Sequence, residues 1–189
     1  SEHRLAILVT DPSSQWLGLA RAFEAAGLPF TMTTSPERAL RHRVILAYPT
    51  ISGRVLSAAA LRGLSRHVGD GGTLLAFDLQ GGGLEGVFGV AGIQPARTRE
   101  TLRWTSAGAP DERVTYFSSA RSDLPMASQS FRLAGAEVLA TFEDGGAGVV
   151  VDHVGGGGAH GLDVEGESDD EEQKAGGGEE GAGQHGRLP

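Results

Sequence analysis

The chain has 189 residues, a formal net charge of −8 and no cysteine, and 30 of its residues are glycine. Its length fits one ordinary domain with a tail, and the absence of cysteine excludes a disulfide scaffold, a thiolate metal site and a cysteine nucleophile. No apolar run reaches the ~20 residues of a membrane-spanning helix, and no signal-peptide pattern is visible. The sequence therefore predicts no membrane span and marks no compartment.

Most of the negative charge lies near the C-terminus. Residues 1–162 contain 14 basic and 15 acidic residues, whereas residues 163–189 contain 2 and 9. The acidic segment has too few apolar residues to offset the entropy lost on ordering. We therefore predict a folded domain over residues 1–164 and an acidic, glycine-rich, disordered tail over residues 165–189. No nucleic-acid partner is expected, because the body lacks the basic surface that neutralises phosphates.

Apolar runs of strand length alternate with helical patterns through the first part of the chain. A helical pattern follows the turn-and-cap cluster at residues 11–14, a second begins at Ser35-Pro36, and Ser57 caps a third. Four strands are predicted, at residues 5–9, 30–33, 44–48 and 73–77. This alternation predicts βαβ units in an α/β, flavodoxin-like doubly wound fold with a mainly parallel sheet.

The later part of the chain has weaker patterns. Residues 84–88 indicate one helical turn, and residues 106–130 indicate a long irregular surface segment. Residues 137–142 and 148–154 read as two strands of an antiparallel hairpin joined by a turn at residues 143–146. We expect this hairpin to add to the parallel sheet and make it mixed.

Four stretches carry a resemblance to a known family. They are Ala47–Thr50 after the third strand, the Gly-Gly-Thr step in Val68–Leu75, the short helix in Leu84–Val90, and the hairpin over Val138–Val150. In this order they resemble class I glutamine amidotransferase-like domains of the non-catalytic branch, to which the β-galactosidase trimerisation domain is related. The resemblance implies a non-catalytic accessory or assembly domain of a carbohydrate-active protein. Its implied partners are a fused or associated catalytic domain and further copies of the chain.

The chain departs from that family at two points. It has no cysteine, so glutamine hydrolysis by the family's cysteine route is excluded. The family's hairpin usually continues through a Gly-Lys-Gly-Arg step, whereas residues 155–158 are all glycine. Either a truncation or reading-frame change near residues 155–160, or a genuine linker, explains this difference.

A candidate ligand crevice lies in the loops that follow the predicted strands, because open α/β sheets bind ligands outside the carboxyl ends of their strands. These loops supply short polar groups and one aromatic ring, which suit a hydroxyl-rich ligand such as a sugar. The candidate residues are Asp11, Ser13, Ser14, Tyr48, Thr50, Ser52, Asp78 and Gln80. A purely structural alternative is that the first three cap the first helix and that Asp78 only ends a strand.

Two other functions remain open from the sequence. A small serine hydrolase using the Ser13 or Ser52 loop predicts turnover of a model ester that is lost on Ser→Ala substitution, although no G-x-S-x-G elbow is present. A stand-alone sugar-binding module predicts thermal stabilisation by a sugar. No metal-ligand spacing and no cofactor motif occurs, so we predict no metal and no cofactor and assign no catalytic residue; the sequence favours a role that is not enzymatic and leaves the hydrolase alternative open.

Overall fold

The first half of the chain forms a parallel sheet of four strands in the computed structural model, which describes residues 4–105, 114–116 and 127–153. The strands are adjacent in the order β2-β1-β3-β4. Their bounds are β1 (Leu5–Val9), β2 (Phe30–Thr33), β3 (Val44–Tyr48) and β4 (Thr73–Ala76). The central strands are near-continuous apolar runs because both of their faces are buried. All four strands predicted here are confirmed.

Helices cover both faces of this sheet. They are α1 (Trp16–Ala25), α2 (Pro36–Ala39) and α3 (Ala58–Gly69). The hydroxyl oxygen of Ser57 accepts the N–H of Ala60 at 3.2 Å, and Ser35 caps α2 in the same way, so both predicted caps are confirmed. Within the described ranges, no helix is long and apolar enough to cross a membrane.

The second half of the chain forms a separate antiparallel sheet of six strands. A 3₁₀ helix (Glu85–Phe88) leads into it, and its strands are adjacent in the order β5-β8-β10-β9-β6-β7. Their bounds are β5 (Val90–Thr98), β6 (Thr101–Trp104), β7 (Val114–Tyr116), β8 (Ala127–Leu133), β9 (Glu137–Phe142) and β10 (Ala147–Val151).

The prediction of a flavodoxin-like doubly wound fold is therefore wrong. After β4 the chain turns through three glycines with positive φ, Gly81 to Gly83, and through Gly89 (φ 62°) after the 3₁₀ helix. It then enters β5, which pairs with β8 instead of adding a strand to the parallel sheet. Only one of the nine residues of β5 is buried, as expected for a strand with a solvated face and not for one between two helix layers.

The late elements meet the predictions in part. The predicted hairpin is confirmed as β9 and β10, but it belongs to the second sheet, so the predicted mixed sheet is wrong. The segment predicted to be irregular contains β7 and the start of β8, and its remainder lies outside the described residues. The predicted tail also lies outside them.

One hydrophobic core joins the two sheets. Leu74 of β4, Leu84 before the 3₁₀ helix and Val90 of β5 are buried together. The partly buried Ile93 and Phe131 pack against the same cluster from the antiparallel sheet. The end of the parallel sheet and strands β5 and β8 are thereby held against each other.

A buried arginine links two turns of the antiparallel sheet. The guanidinium of Arg99, whose side chain is 4% exposed, donates to the Asp144 carboxylate at 2.8 and 3.0 Å and to the Ser128 carbonyl at 2.6 Å. It also donates to the Ser130 hydroxyl at 3.2 Å and lies 4.4 Å from the ring centroid of Phe142. These contacts tie the β5–β6 turn to the β9–β10 turn.

Candidate functional site

The loops at the carboxyl edge of the parallel sheet are held together by threonine hydroxyls. The Thr10 hydroxyl shares its donor bond between the carbonyl oxygens of Tyr48 and Thr50, at 3.0 and 2.8 Å. The Thr50 hydroxyl in turn donates to the Asp78 carbonyl oxygen at 3.2 Å. Adjacent parallel strands end at one edge, so these bonds join the loops after β1, β3 and β4. The sequence analysis missed Thr10, whose signal was its place directly after a strand.

Backbone pairing continues beyond the ends of β3 and β4. The N–H of Ile51 donates to the Asp78 carbonyl oxygen, and the N–H of Gln80 donates to the Ile51 carbonyl oxygen, both at 2.8 Å. Ile51 and Leu79 form a parallel bridge and are buried. The structure therefore brings the segments carrying Thr50, Ser52, Asp78 and Gln80 side by side.

The three polar residues after β1 bond mainly to one another. The Asp11 carboxylate accepts the N–H and the hydroxyl of Ser13 at 2.8 and 2.7 Å, and the Ser14 hydroxyl donates to the Asp11 carbonyl oxygen at 2.6 Å. The residue before α1 is Gln15, and its side chain makes no capping bond, so the predicted capping of α1 by residues 11–14 is wrong. Within the described part of the chain, no side-chain hydrogen bond of Asp11, Ser13 or Ser14 reaches the other two loops.

Neither Ser13 nor Ser52 has the surroundings that activate a serine nucleophile. Hydrogen bonds from the side chain and the backbone N–H of Ser13 lower the pKa of Asp11, which makes its carboxylate a weak base. Ser52 is 4% exposed, and its hydroxyl oxygen accepts the N–H of Arg54 at 3.3 Å. Among the described residues, neither hydroxyl has a histidine as its hydrogen-bond partner.

Tyr48 faces an aromatic neighbour, Phe77, which directly follows the edge strand β4. Its ring lies edge-on to the ring of Phe77, with centroids 5.3 Å apart. Phe77 is 62% exposed and Leu75 is 46% exposed. Strand alternation places both on the sheet face that α1 covers elsewhere, where Leu46 is buried. Tyr48, Leu75 and Phe77 form an apolar patch, which we call the β4 patch.

Gln80 borders an open groove of about 480 Å³ between the end of the parallel sheet and the antiparallel sheet. The amide nitrogen of Gln80 donates to the Asp78 carboxylate at 2.6 Å. The groove's other polar side chains, Glu85, Gln94 and Gln129, were missed, because isolated polar residues on irregular-looking segments give no sequence signal.

A basic groove of about 700 Å³ lies at the opposite, amino-terminal edge of the parallel sheet. Exposed Arg41, Arg43 and Arg66 line it together with His67, whose Nε2 is buried without a hydrogen-bond partner in the described chain. This charge does not suit the neutral ligand predicted for the carboxyl edge. Across the three described ranges, no group of three His, Asp or Glu side chains is placed to hold a metal ion.

Comparison with known proteins identifies the fold. Neither a family model nor a curated protein matches the sequence. The solved structures that match include β-galactosidases. One is the E323A catalytic mutant of Gan42B, a GH42 β-galactosidase from G. stearothermophilus, at 16% identity and a TM-score of 0.53, covering 82% of this chain and 26% of that one. Another is β-galactosidase from Bifidobacterium adolescentis, at 18% identity and a TM-score of 0.35, covering 75% of this chain and 77% of that one.

The match to Gan42B shows a shared fold. The chain spans about a quarter of the length of Gan42B. The match agrees with the part of the predicted resemblance that concerns β-galactosidases. The resemblance to amidotransferase-like domains stays a prediction.

Proposed function

We propose that this chain is a non-catalytic accessory domain of a carbohydrate-active protein. The observation that carries the proposal is the fold shared with Gan42B, since 82% of this chain corresponds to only 26% of that β-galactosidase. A domain of this kind works beside a larger catalytic unit. The hydrolase alternative gains no support, because Ser13 donates only to the Asp11 carboxylate, whose lowered pKa makes it a weak base, and no basic side chain bonds to the Ser52 hydroxyl within the described residues.

The β4 patch is the surface through which we propose that the domain packs against another protein surface. β4 is the last strand of its sheet, and α1 packs against Ile7, Val9 and Leu46 while Leu75 and Phe77 stay exposed. Removing a side chain of the Phe or Leu type from water contributes about 1.5–3 kcal/mol. Exposed apolar patches on folded domains commonly mark interaction sites. The partner is either a second copy of the chain or a catalytic domain.

Sedimentation equilibrium of the full 189-residue chain and of Phe77→Ser tests this surface. If copies associate, the wild-type chain has a concentration-dependent mass and Phe77→Ser is a monomer. If the partner is a catalytic domain, both chains are monomers and only the wild type binds that domain. Leu28→Ser is the matched control, because Leu28 is 50% exposed and lies away from the patch. A Phe77→Ser chain that behaves as wild type in both assays contradicts the proposal.

A further inference from the structure

The groove beside Gln80 is built from both halves of the molecule. Gln80 and Glu85 come from the loop and the 3₁₀ helix after the parallel sheet, whereas Ile93, Gln94 and Pro95 of β5 and Gln129 of β8 come from the antiparallel sheet. Its volume of about 480 Å³ lies in the ordinary range of small-ligand sites, about 300–1,000 Å³. The shared core under Leu84 and Val90 fixes the two walls against each other.

A strand irregularity lies at the groove. The pairing of β5 with β8 shifts register between Gln94, which faces Ser130, and Arg97, which faces Ser128. Pro95 and Ala96 therefore lie opposite the single residue Gln129. Proline cannot donate a backbone bond to the ladder, and such bulges redirect side chains next to binding sites.

Gln129 carries an unused acceptor at this place. Its Oε1 atom is buried and has no hydrogen-bond partner in the described part of the chain. Buried acceptors in native proteins are nearly always paired, so this oxygen lacks a donor, and because the Gln129 side chain is partly exposed at the groove, a turn of its terminal amide would present the oxygen to a bound molecule. On the other wall, the Asp78 carboxylate holds the amide nitrogen of Gln80 at 2.6 Å and leaves its amide oxygen to accept.

The groove's chemistry selects the ligand class. Three amides and the Glu85 carboxylate supply several acceptors and some donors, Ile93 and Pro95 supply small apolar surfaces, and no basic side chain lines the groove within the described residues. An anion is disfavoured by Glu85, and an apolar ligand would leave the amides unpaired. A neutral ligand rich in hydroxyl groups satisfies them.

We propose that this groove binds a neutral saccharide of one or two rings, and that the Gln129 amide turns on binding so that its Oε1 accepts a ligand hydroxyl. The choice of saccharide over other polyols rests on the proposed carbohydrate-associated function. The site includes Gln80 of the predicted crevice, whose amide nitrogen Asp78 holds, and extends onto the antiparallel sheet.

The test is an NMR titration of the full chain with galactose, lactose and galacturonate. We expect galactose or lactose to shift the signals of Gln80, Gln94 and Gln129, and Gln129→Leu to weaken the binding about tenfold, as for one lost hydrogen bond. Because Oε1 has no partner in the described chain, Gln129→Leu should keep the wild-type thermal midpoint. Gln15→Leu is the matched control, since Gln15 is exposed and its side chain makes no capping bond.

The same titration can overturn the inference. It is overturned if neither neutral sugar shifts these signals, if Gln129→Leu binds as tightly as wild type, or if galacturonate binds as well as galactose. High sugar concentrations stabilise proteins in general by exclusion from their surface, so residue-resolved shifts and not the melting temperature decide. If the wild-type chain binds no sugar but still associates through Phe77, the saccharide site is rejected and the proposed accessory role is not affected.

Discussion

The two sheets of this protein are stabilised in different ways. In the parallel sheet, four of the five residues of β1 are buried, and helices pack on both faces. In the antiparallel sheet, one of the nine residues of β5 is buried, and the buried Arg99 side chain links two of the turns. The comparison teaches that apolar packing on two faces dominates the first region, whereas the second combines a smaller apolar cluster, at Leu102, Ala140 and Phe142, with the hydrogen bonds and the ion pair of Arg99.

The largest effect is expected from a cavity in the parallel sheet. Ile45 of β3 is 0% exposed, so Ile45→Ala should lower the free energy of unfolding by about 2–5 kcal/mol, measured from urea curves. Leu28→Ala is the control, because Leu28 is 50% exposed, lies outside the β4 patch, and its truncation leaves no cavity. Equal losses in the two variants would show that the parallel sheet does not depend on burial in this way.

A smaller effect is expected from the polar link in the antiparallel sheet. Arg99→Met keeps an unbranched stem but removes the donors to Ser128 and Ser130, and should cost about 1–3 kcal/mol. Urea unfolding of Arg99→Met, Asp144→Asn and the double variant measures how strongly the two side chains are coupled. Additive losses would mean that the ion pair contributes nothing of its own.

The chain segment that connects the parallel sheet to the antiparallel sheet contains a glycine, Gly89, in the left-handed backbone region. Gly89 has φ 62°, and a Cβ there would lie 2.9 Å from the backbone nitrogen of Ala136. Gly89→Ala should cost about 1–2 kcal/mol from the left-handed backbone alone. Gly86→Ala is the control, since no atom lies within 4 Å of the place that its added methyl group would take and its φ is not in the left-handed region. Thermal unfolding that ranks the two variants equally would refute this role for Gly89.

The smallest effect concerns pH and the turns of the antiparallel sheet. The Arg99 guanidinium lowers the pKa of Asp144, and the N–H of Glu100 lowers the pKa of Glu143. A carboxyl whose pKa is lowered on folding stabilises the fold above its unfolded pKa of about 4 and loses that effect as pH falls through the folded value. Between about pH 5 and pH 3, the free energy of unfolding should therefore fall less steeply in the double variant Glu143→Gln and Asp144→Asn than in the wild type.

Arg99→Met supplies the control for this pH dependence. It leaves the Glu143 contacts with Glu100 and Thr101 in place and removes the guanidinium from Asp144, so its decline should lie between those of the other two chains. If the free energy of unfolding falls equally with pH in all three proteins, the lowered pKa values of Glu143 and Asp144 do not contribute to stability.

The comparison also explains what the sequence could predict. The strands around Ile7, Ile45 and Leu74 are continuous apolar runs between clear caps, so their positions and parallel pairing follow from pattern alone. β5 and β8 mix polar and apolar residues without a clear alternation, and nothing local in them indicates which strand they pair with. The turn predicts the hairpin of β9 and β10, but the sheet to which it belongs depends on its pairing with β8 and with β6, which is distant in sequence.

The candidate site also has one part that the sequence predicts and one part that it does not. Asp78 and Gln80 follow a predicted strand, and the structure places Gln80 at a groove with its amide nitrogen bonded to the Asp78 carboxylate. The opposite wall, with Gln94 and Gln129, could not be predicted because a register shift between distant strands creates it. Asp11 and Ser13 were grouped with the crevice from their position after β1, yet their side chains bond to each other.

The most direct test of the accessory role is the gene on both sides of the 189 codons. Our account predicts that an adjoining open reading frame, fused or neighbouring, encodes a carbohydrate-active catalytic domain, and that this domain binds the wild-type chain or an oligomer of it through the β4 patch. If no such domain is encoded there and the chain neither self-associates nor binds another protein through that patch, the proposed accessory role is contradicted.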